Sequence, residues 1–267
     1  MAERTSGYSA KKQFCIERLR DGVALICAAF HPRPVLLRLS DLKSNEYRAL
    51  LGGRLFEPEE ENPMIACRGA ARLVNHRFAA AFEMECEALA QVRWHLGLDN
   101  LQVMVPFCRT PEEGRRVVEL LARRRLSSAD GVPNFLMVEL PANVVEAESF
   151  MDEMRLAGGS IGTDDLVQTV YALSRDDLTT YGAEIDARSP AVRRLISEAI
   201  RRFNARGLEI GVCGEAPCDR PDEVTPHLVE RGITSISATP ATLFEVRAAV
   251  ARAERGKPGL ARLAIGA

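Results

Sequence analysis

The sequence alternates short apolar runs with longer stretches of helical periodicity, and polar residues gather where the apolar runs stop. Val35–Leu39, Met64–Arg68, Leu101–Phe107, Phe135–Glu139, Ser160–Gly162, Leu208–Gly214 and Ser235–Ser237 read as seven strands. Strands this short and this uniformly apolar are expected to be buried on both faces, which implies a parallel sheet covered by helices. Helices are expected over 11–30, 44–51, 76–96, 110–125, 141–154, 189–205, 221–231 and 239–255. The start at Thr110-Pro111-Glu112-Glu113 is strongly marked, with a capping hydroxyl, proline at the first helical position and acids in the first turn.

Two architectures accommodate this alternation, a (β/α)8 TIM-like barrel and a doubly wound sheet. No Gly-x-Gly-x-x-Gly follows the first strand, so a dinucleotide-binding open sheet is not favoured. Arg38, Arg68, Cys108, Glu139, Thr163–Asp165 and Cys213 all stand where strands end. Sites of a (β/α)8 barrel lie at the C-terminal ends of its strands, so the barrel is the expected fold. Glu139 and the adjacent Asp164 and Asp165 close two such strands. Carboxylates so placed can converge on one hard divalent cation, or each can cap the helix that follows it. Glu139 is expected to face solvent.

With 267 residues, the chain is long enough for a single domain over 1–267, residues 1–10 forming a flexible start. A formal net charge of -2 argues against nucleic acid as the main partner. No apolar run is long enough to span a bilayer, and the polar first ten residues lack the apolar segment of a secretion signal. Seven scattered cysteines without a Cys-x-x-Cys pair point to reduced thiols and a cytoplasmic setting.

A family resemblance rests on six ordered motifs. They are Arg38-Leu39-Ser40-Asp41-Leu42-Lys43-Ser44-Asn45-Glu46-Tyr47, Glu60-Glu61-Asn62-Pro63-Met64 with Arg68-Gly69-Ala70, and Pro106-Phe107-Cys108-Arg109-Thr110-Pro111-Glu112-Glu113-Gly114. Glu139-Leu140-Pro141-Ala142-Asn143, Ser160-Ile161-Gly162-Thr163-Asp164-Asp165-Leu166 and Cys213-Gly214-Glu215-Ala216-Pro217 complete the set. Together they resemble the C-terminal pyruvate/phosphoenolpyruvate-binding barrel of phosphoenolpyruvate synthase, over nearly the whole chain. Ser174-Arg175-Asp176-Asp177 is closer to the sister family, pyruvate phosphate dikinase.

The resemblance implies roles. Glu139 and Asp165 match ligands of Mg²⁺, with Mn²⁺ as a substitute. Arg38 and Arg68 match arginines that grip the phosphoryl and enolate oxygens of the substrate, a task suited to a planar guanidinium. Gly162, Thr163 and Asp164 match substrate contacts. Cys213 matches the acid/base that exchanges a proton with the substrate methyl carbon. Asp164 stands where the family usually has Asn, and an ionised carboxylate cannot donate a hydrogen bond to a substrate oxygen. The family's complete enzymes also carry ATP-grasp and phosphohistidine domains, for which no motif is found here. The resemblance therefore implies a half-site for pyruvate or phosphoenolpyruvate that takes its phosphoryl group from phosphohistidine on a separate protein. A free-standing Mg²⁺-dependent oxoacid lyase or aldolase and a catalytically silent binding subunit are the alternatives. The family's first barrel strand has no counterpart here. Seven regular strands and self-association through an open flank are therefore expected.

Overall fold

The computed structural model describes residues 10–174 and 184–255, which divide into two compact units. The first comprises residues up to Pro106 together with Glu112–Asn134, and the second comprises Phe107–Pro111 and the chain from Phe135 onward. Arg175, Asp176 and Asp177 of the dikinase-like motif lie outside the described residues.

In the first unit, helix α1 (Lys11–Phe30) leads to strand β1 (Val35–Arg38) and the short helices α2 (Ser44–Ala49) and α3 (Gly69–Leu73). Helix α4 (Ala79–Ala90) continues through a π-helical turn at Gln91–His95 into β2 (Leu101–Val105) and α5 (Pro111–Ala122). α1 spans the expected residues and packs on α4, with Ile16, Val23 and Cys27 buried. β1 and β2 pair in parallel, from Val35 opposite Leu101 to Arg38 opposite Met104. Buried Asn100 fixes the approach to both strands by donating to the carbonyls of Cys27 at 2.9 Å and Arg33 at 2.8 Å.

The strand expected at Met64–Arg68 does not form; the segment is a turn running into α3. Its amides bond locally instead: Ile65 to the Asn62 carbonyl, Arg68 to the Ala66 carbonyl and Cys67 to the Glu60 carboxylate. Ile65 is exposed. A run of four apolar residues behind a proline has too little buried surface to hold an extended strand against those turns. The described residues thus contain six strands rather than seven.

What orders this irregular stretch is a buried ion pair. Both terminal nitrogens of Arg72 donate to Glu57, the Nη1–Oε2 distance being 2.9 Å, and the guanidinium lies 4.0 Å from the Tyr47 ring centre and 3.6 Å from that of Phe78. Removing one partner of such a pair strands a charge in a water-poor site. Glu57→Ala is expected to destabilise the protein by about 3–5 kcal/mol, read as a lower urea midpoint. An unchanged midpoint would show that the pair does not hold the segment.

The second unit carries β3 (Asn134–Val138), which begins at the last residue of the first, then α6 (Pro141–Val145), α7 (Ala147–Met154), β4 (Gly158–Gly162) and α8 (Thr163–Tyr171). After the undescribed stretch come α9 (Pro190–Ala205), β5 (Glu209–Cys213), α10 (Ala216–Asp219), α11 (Pro221–Arg231), β6 (Ser235–Ile236) and α12 (Leu243–Arg255). β3, β4, β5 and β6 pair in that order, all parallel. Every residue of β3 and β4 is buried, the pattern of a sheet covered on both faces. The expected helix over 141–154 is two helices, because Glu146 leaves the helical conformation between them.

Glycines let these strands approach closely. A Cβ on Gly159 would stand 2.8 Å from the Phe203 ring of α9, so the helix could not lie as close to any other residue.

Candidate active site

The site is assembled where β3, β4 and β5 end. Register alone places Gly162 opposite Cys213 and Ser160 opposite Gly211, while Met137 of β3 faces Ser160. Six residues singled out in the sequence, Glu139, Gly162, Thr163, Asp164, Asp165 and Cys213, therefore fall on neighbouring strand ends of one unit.

Glu139 does not face solvent as expected; it is 1% exposed. Its Oε1 accepts the Phe107 amide at 2.6 Å. Gly162 makes the room, since a Cβ there would meet Glu139 Oε2 at 2.9 Å and Met137 Sδ at 3.2 Å. The backbone beneath is fixed by fully buried Asn143, whose Oδ1 accepts the amides of Glu139 and Leu140 and whose Nδ2 donates to the Cys108 carbonyl at 2.7 Å. Thr169 of α8 ties the two acidic strand ends together, its hydroxyl lying 3.1 Å from the Glu139 carbonyl and 2.8 Å from that of Asp165. Asp165, in the first turn of α8, is 7% exposed, and Gln168 holds its Oδ1 at 2.8 Å.

Glu139 and Asp165 each present a carboxylate oxygen within 4.8 Å of the other. Burial of like charges at that separation is costly without a compensating cation. Two converging hard oxygen donors fit Mg²⁺ or Mn²⁺, so the residues present are compatible with the expected metal.

Cys213 is half-buried. Its sulfur accepts from the Ser160 hydroxyl and lies next to the Met137 thioether, both at 3.5 Å. The loop beyond it is clamped onto α8. Thr163 donates to the Cys213 carbonyl at 3.2 Å, and Asp164 Oδ2 accepts the Glu215 amide at 3.3 Å. Asp164 also sits in the first turn of α8, where a negative charge suits the helix dipole. As placed, the side chain accepts the Glu215 amide, a bond that the oxygen of an Asn could also accept. Beside it opens a cavity of about 300 Å³ lined by Asp164, Glu215, Asp219, Arg188 and Arg220.

Gly214 takes φ +117, and a Cβ there would stand 2.1 Å from Thr163 Oγ1. Gly214→Ala is expected to cost about 1–3 kcal/mol in denaturant titrations and to loosen the loop carrying Cys213. Wild-type stability would refute that fit.

Arg38 and Arg68 belong to the first unit. Arg38 ends β1 and is exposed. Arg68 is 4% exposed and makes a forked pair with Asp41, Nε to Oδ1 at 3.2 Å and Nη2 to Oδ2 at 2.5 Å. Asp41 was visible only as part of a motif; nothing in its spacing marks it as the partner of a residue 27 positions away. Ser160, Met137, Asn143 and Thr169 were likewise missed as site residues, because they shape the site through tertiary contacts. All seven cysteines are unpaired with one another. No helix among the described residues is long and apolar enough to cross a membrane.

Residues 7–255 match the family described as PEP-utilising enzyme, PEP-binding domain. Curated relatives include the phosphoenolpyruvate synthases of Synechocystis sp., 43% identical over 96% of this chain and 31% of its own length, and of Aquifex aeolicus, 45% identical over 94% and 29%. The chain thus spans about a third of the length of these relatives. Among solved structures, a Haloferax volcanii malate synthase in a pyruvate/acetyl-CoA ternary complex aligns with 99% of this chain and 62% of its own, at TM-score 0.54 and 12% identity. That likeness bears on the fold alone and agrees with the α/β, TIM-barrel-like class expected from the strand-end pattern.

Proposed function

The chain belongs to the family of PEP-binding domains of PEP-utilising enzymes, and on that premise we propose that it is a Mg²⁺-dependent half-site interconverting pyruvate and phosphoenolpyruvate through an enolate. The observation that carries this reading is the buried pair Glu139 and Asp165 at the ends of β3 and β4, with Cys213 at the end of β5 beside β4. In this reading Glu139 and Asp165 hold the divalent cation, with Mn²⁺ able to replace Mg²⁺. When bound, the metal would lower the energy of negative charge developing on the substrate oxygen.

The chain's own groups do the rest. Arg38 and Arg68 supply guanidinium groups for phosphoryl and enolate oxygens; the fork from Asp41 orients Arg68. The Gly162 backbone and the Thr163 and Asp164 side chains contact the substrate. Cys213 moves the proton at the methyl carbon, with Ser160 orienting its sulfur. Pyruvate gains a phosphoryl group from a phosphohistidine that lies outside residues 1–267, in an ATP-dependent cycle. The setting is cytoplasmic, and the protein self-associates, a reading supported by apolar Leu25, Ile26 and Phe30 exposed on α1.

The test needs no phosphohistidine partner. Incubated with pyruvate and Mg²⁺ in D₂O, the chain is expected to exchange methyl protons for deuterium above the metal-only rate, followed by proton NMR. Exchange no faster than that control would favour a silent binding subunit.

A further inference from the structure

We propose that the groove between α9 and α11 binds a phosphorylated small molecule, gripped by Arg193, Arg194 and Arg231 around His227. None of its residues belongs to the site above. The cavity measures about 680 Å³, within the range of small-molecule pockets and well beyond the needs of a lone phosphate. Four arginines line it, Arg193, Arg194, Arg201 and Arg231, against the carboxylates Glu198 and Glu230.

Charge is unbalanced in this groove. Glu198 is engaged by Arg201 and Arg202, each at 2.6 Å. Arg193 donates to the Glu223 carbonyl, a neutral acceptor. Arg194 and Arg231 form no salt bridge among the described residues. Guanidinium groups concentrated on two packed helices repel one another, and a multiply charged anion would relieve the repulsion. Phosphate oxygens match the planar fork of arginine and permit bidentate bonds.

His227 adds a polar floor. Its Nε2 lies 3.1 Å from Ser197 Oγ, and that hydroxyl donates to the Arg193 carbonyl at 2.8 Å. The hydroxyl proton being so used, the Ser197 oxygen is left to accept from the ring. Burial, then Arg193 and Arg231, push His227 below the usual imidazole value, with a hydrogen bond to the Arg193 backbone and then Glu230 acting in the opposite sense. A dianion bound beside the ring would offset the arginines and favour the imidazolium.

Inorganic pyrophosphate is a suitable probe, added to the full chain at constant ionic strength while the His227 ring is followed by NMR, its signals assigned with His227→Gln. Saturable binding is expected, with an upward shift of the His227 titration. The double variant Arg194→Gln/Arg231→Gln should bind at least about tenfold more weakly with an unchanged melting temperature, since both side chains are exposed. Glu139→Gln should leave the His227 response intact. Shifts that never saturate, equal affinity in the double variant, or loss of the response in Glu139→Gln would each overturn the proposal.

Discussion

Replacing Cys213 with alanine is expected to slow Mg²⁺-dependent exchange of pyruvate methyl protons by about 10²–10⁴-fold, the usual cost of losing a general acid or base. The thiol lies between the Ser160 hydroxyl and the Met137 thioether at the end of β5, and it is half-buried. Alanine removes the proton carrier and little packing, so the fold and the metal affinity should survive. Loss of exchange together with loss of Mn²⁺ binding would point to collapse of the strand ends instead. Residual exchange within a few-fold of wild type would transfer the proton step to another group. Asp164→Asn forms the natural companion: it removes a negative charge while keeping an oxygen that can accept the Glu215 amide. It should strengthen phosphoenolpyruvate binding without reducing exchange.

Glu139→Gln is expected to lower Mn²⁺ affinity by at least about 10²-fold, because even partners outside the ligand set typically cost 10–100-fold when lost. Gln keeps an oxygen for the Phe107 amide, and it relieves the like charge of Asp165 within 4.8 Å. The variant should therefore fold without metal. At a Mn²⁺ concentration 100 times the dissociation constant, wild type should gain about 2.7 kcal/mol of stability, seen as a raised melting temperature, and the variant should gain almost none. Equal thermal shifts in both proteins would remove Glu139 from the metal site.

Local sequence carried much of the architecture. The extents of α1 and α11, the glycine stops at Gly97, Gly207 and Gly232, and the strand ends at Glu139, Gly162 and Cys213 were legible because periodicity and turn residues act over a few positions. The Met64–Arg68 run misled for the same reason: apolar composition was present, but the competing turn bonds from Asn62, Ala66 and Glu60 depend on how the loop folds back. Glu139 was expected at the surface since an acid at a strand end usually meets water, yet Gly162 and the Phe107 amide make a buried place for it.

By itself, then, the sequence determined the alternation of strands and helices, the family motifs and which residue types stand at the strand ends. Only the tertiary structure decided that Glu139 and Asp165 lie within 4.8 Å, that Thr169 and Asn143 hold their backbones, and that Ser160 and Met137 touch the Cys213 sulfur. Periodicity encodes which way a side chain faces along its own element. Distances between elements come from register and close packing, here from glycines such as Gly159 and Gly162 whose missing side chains let β4 accept its neighbours.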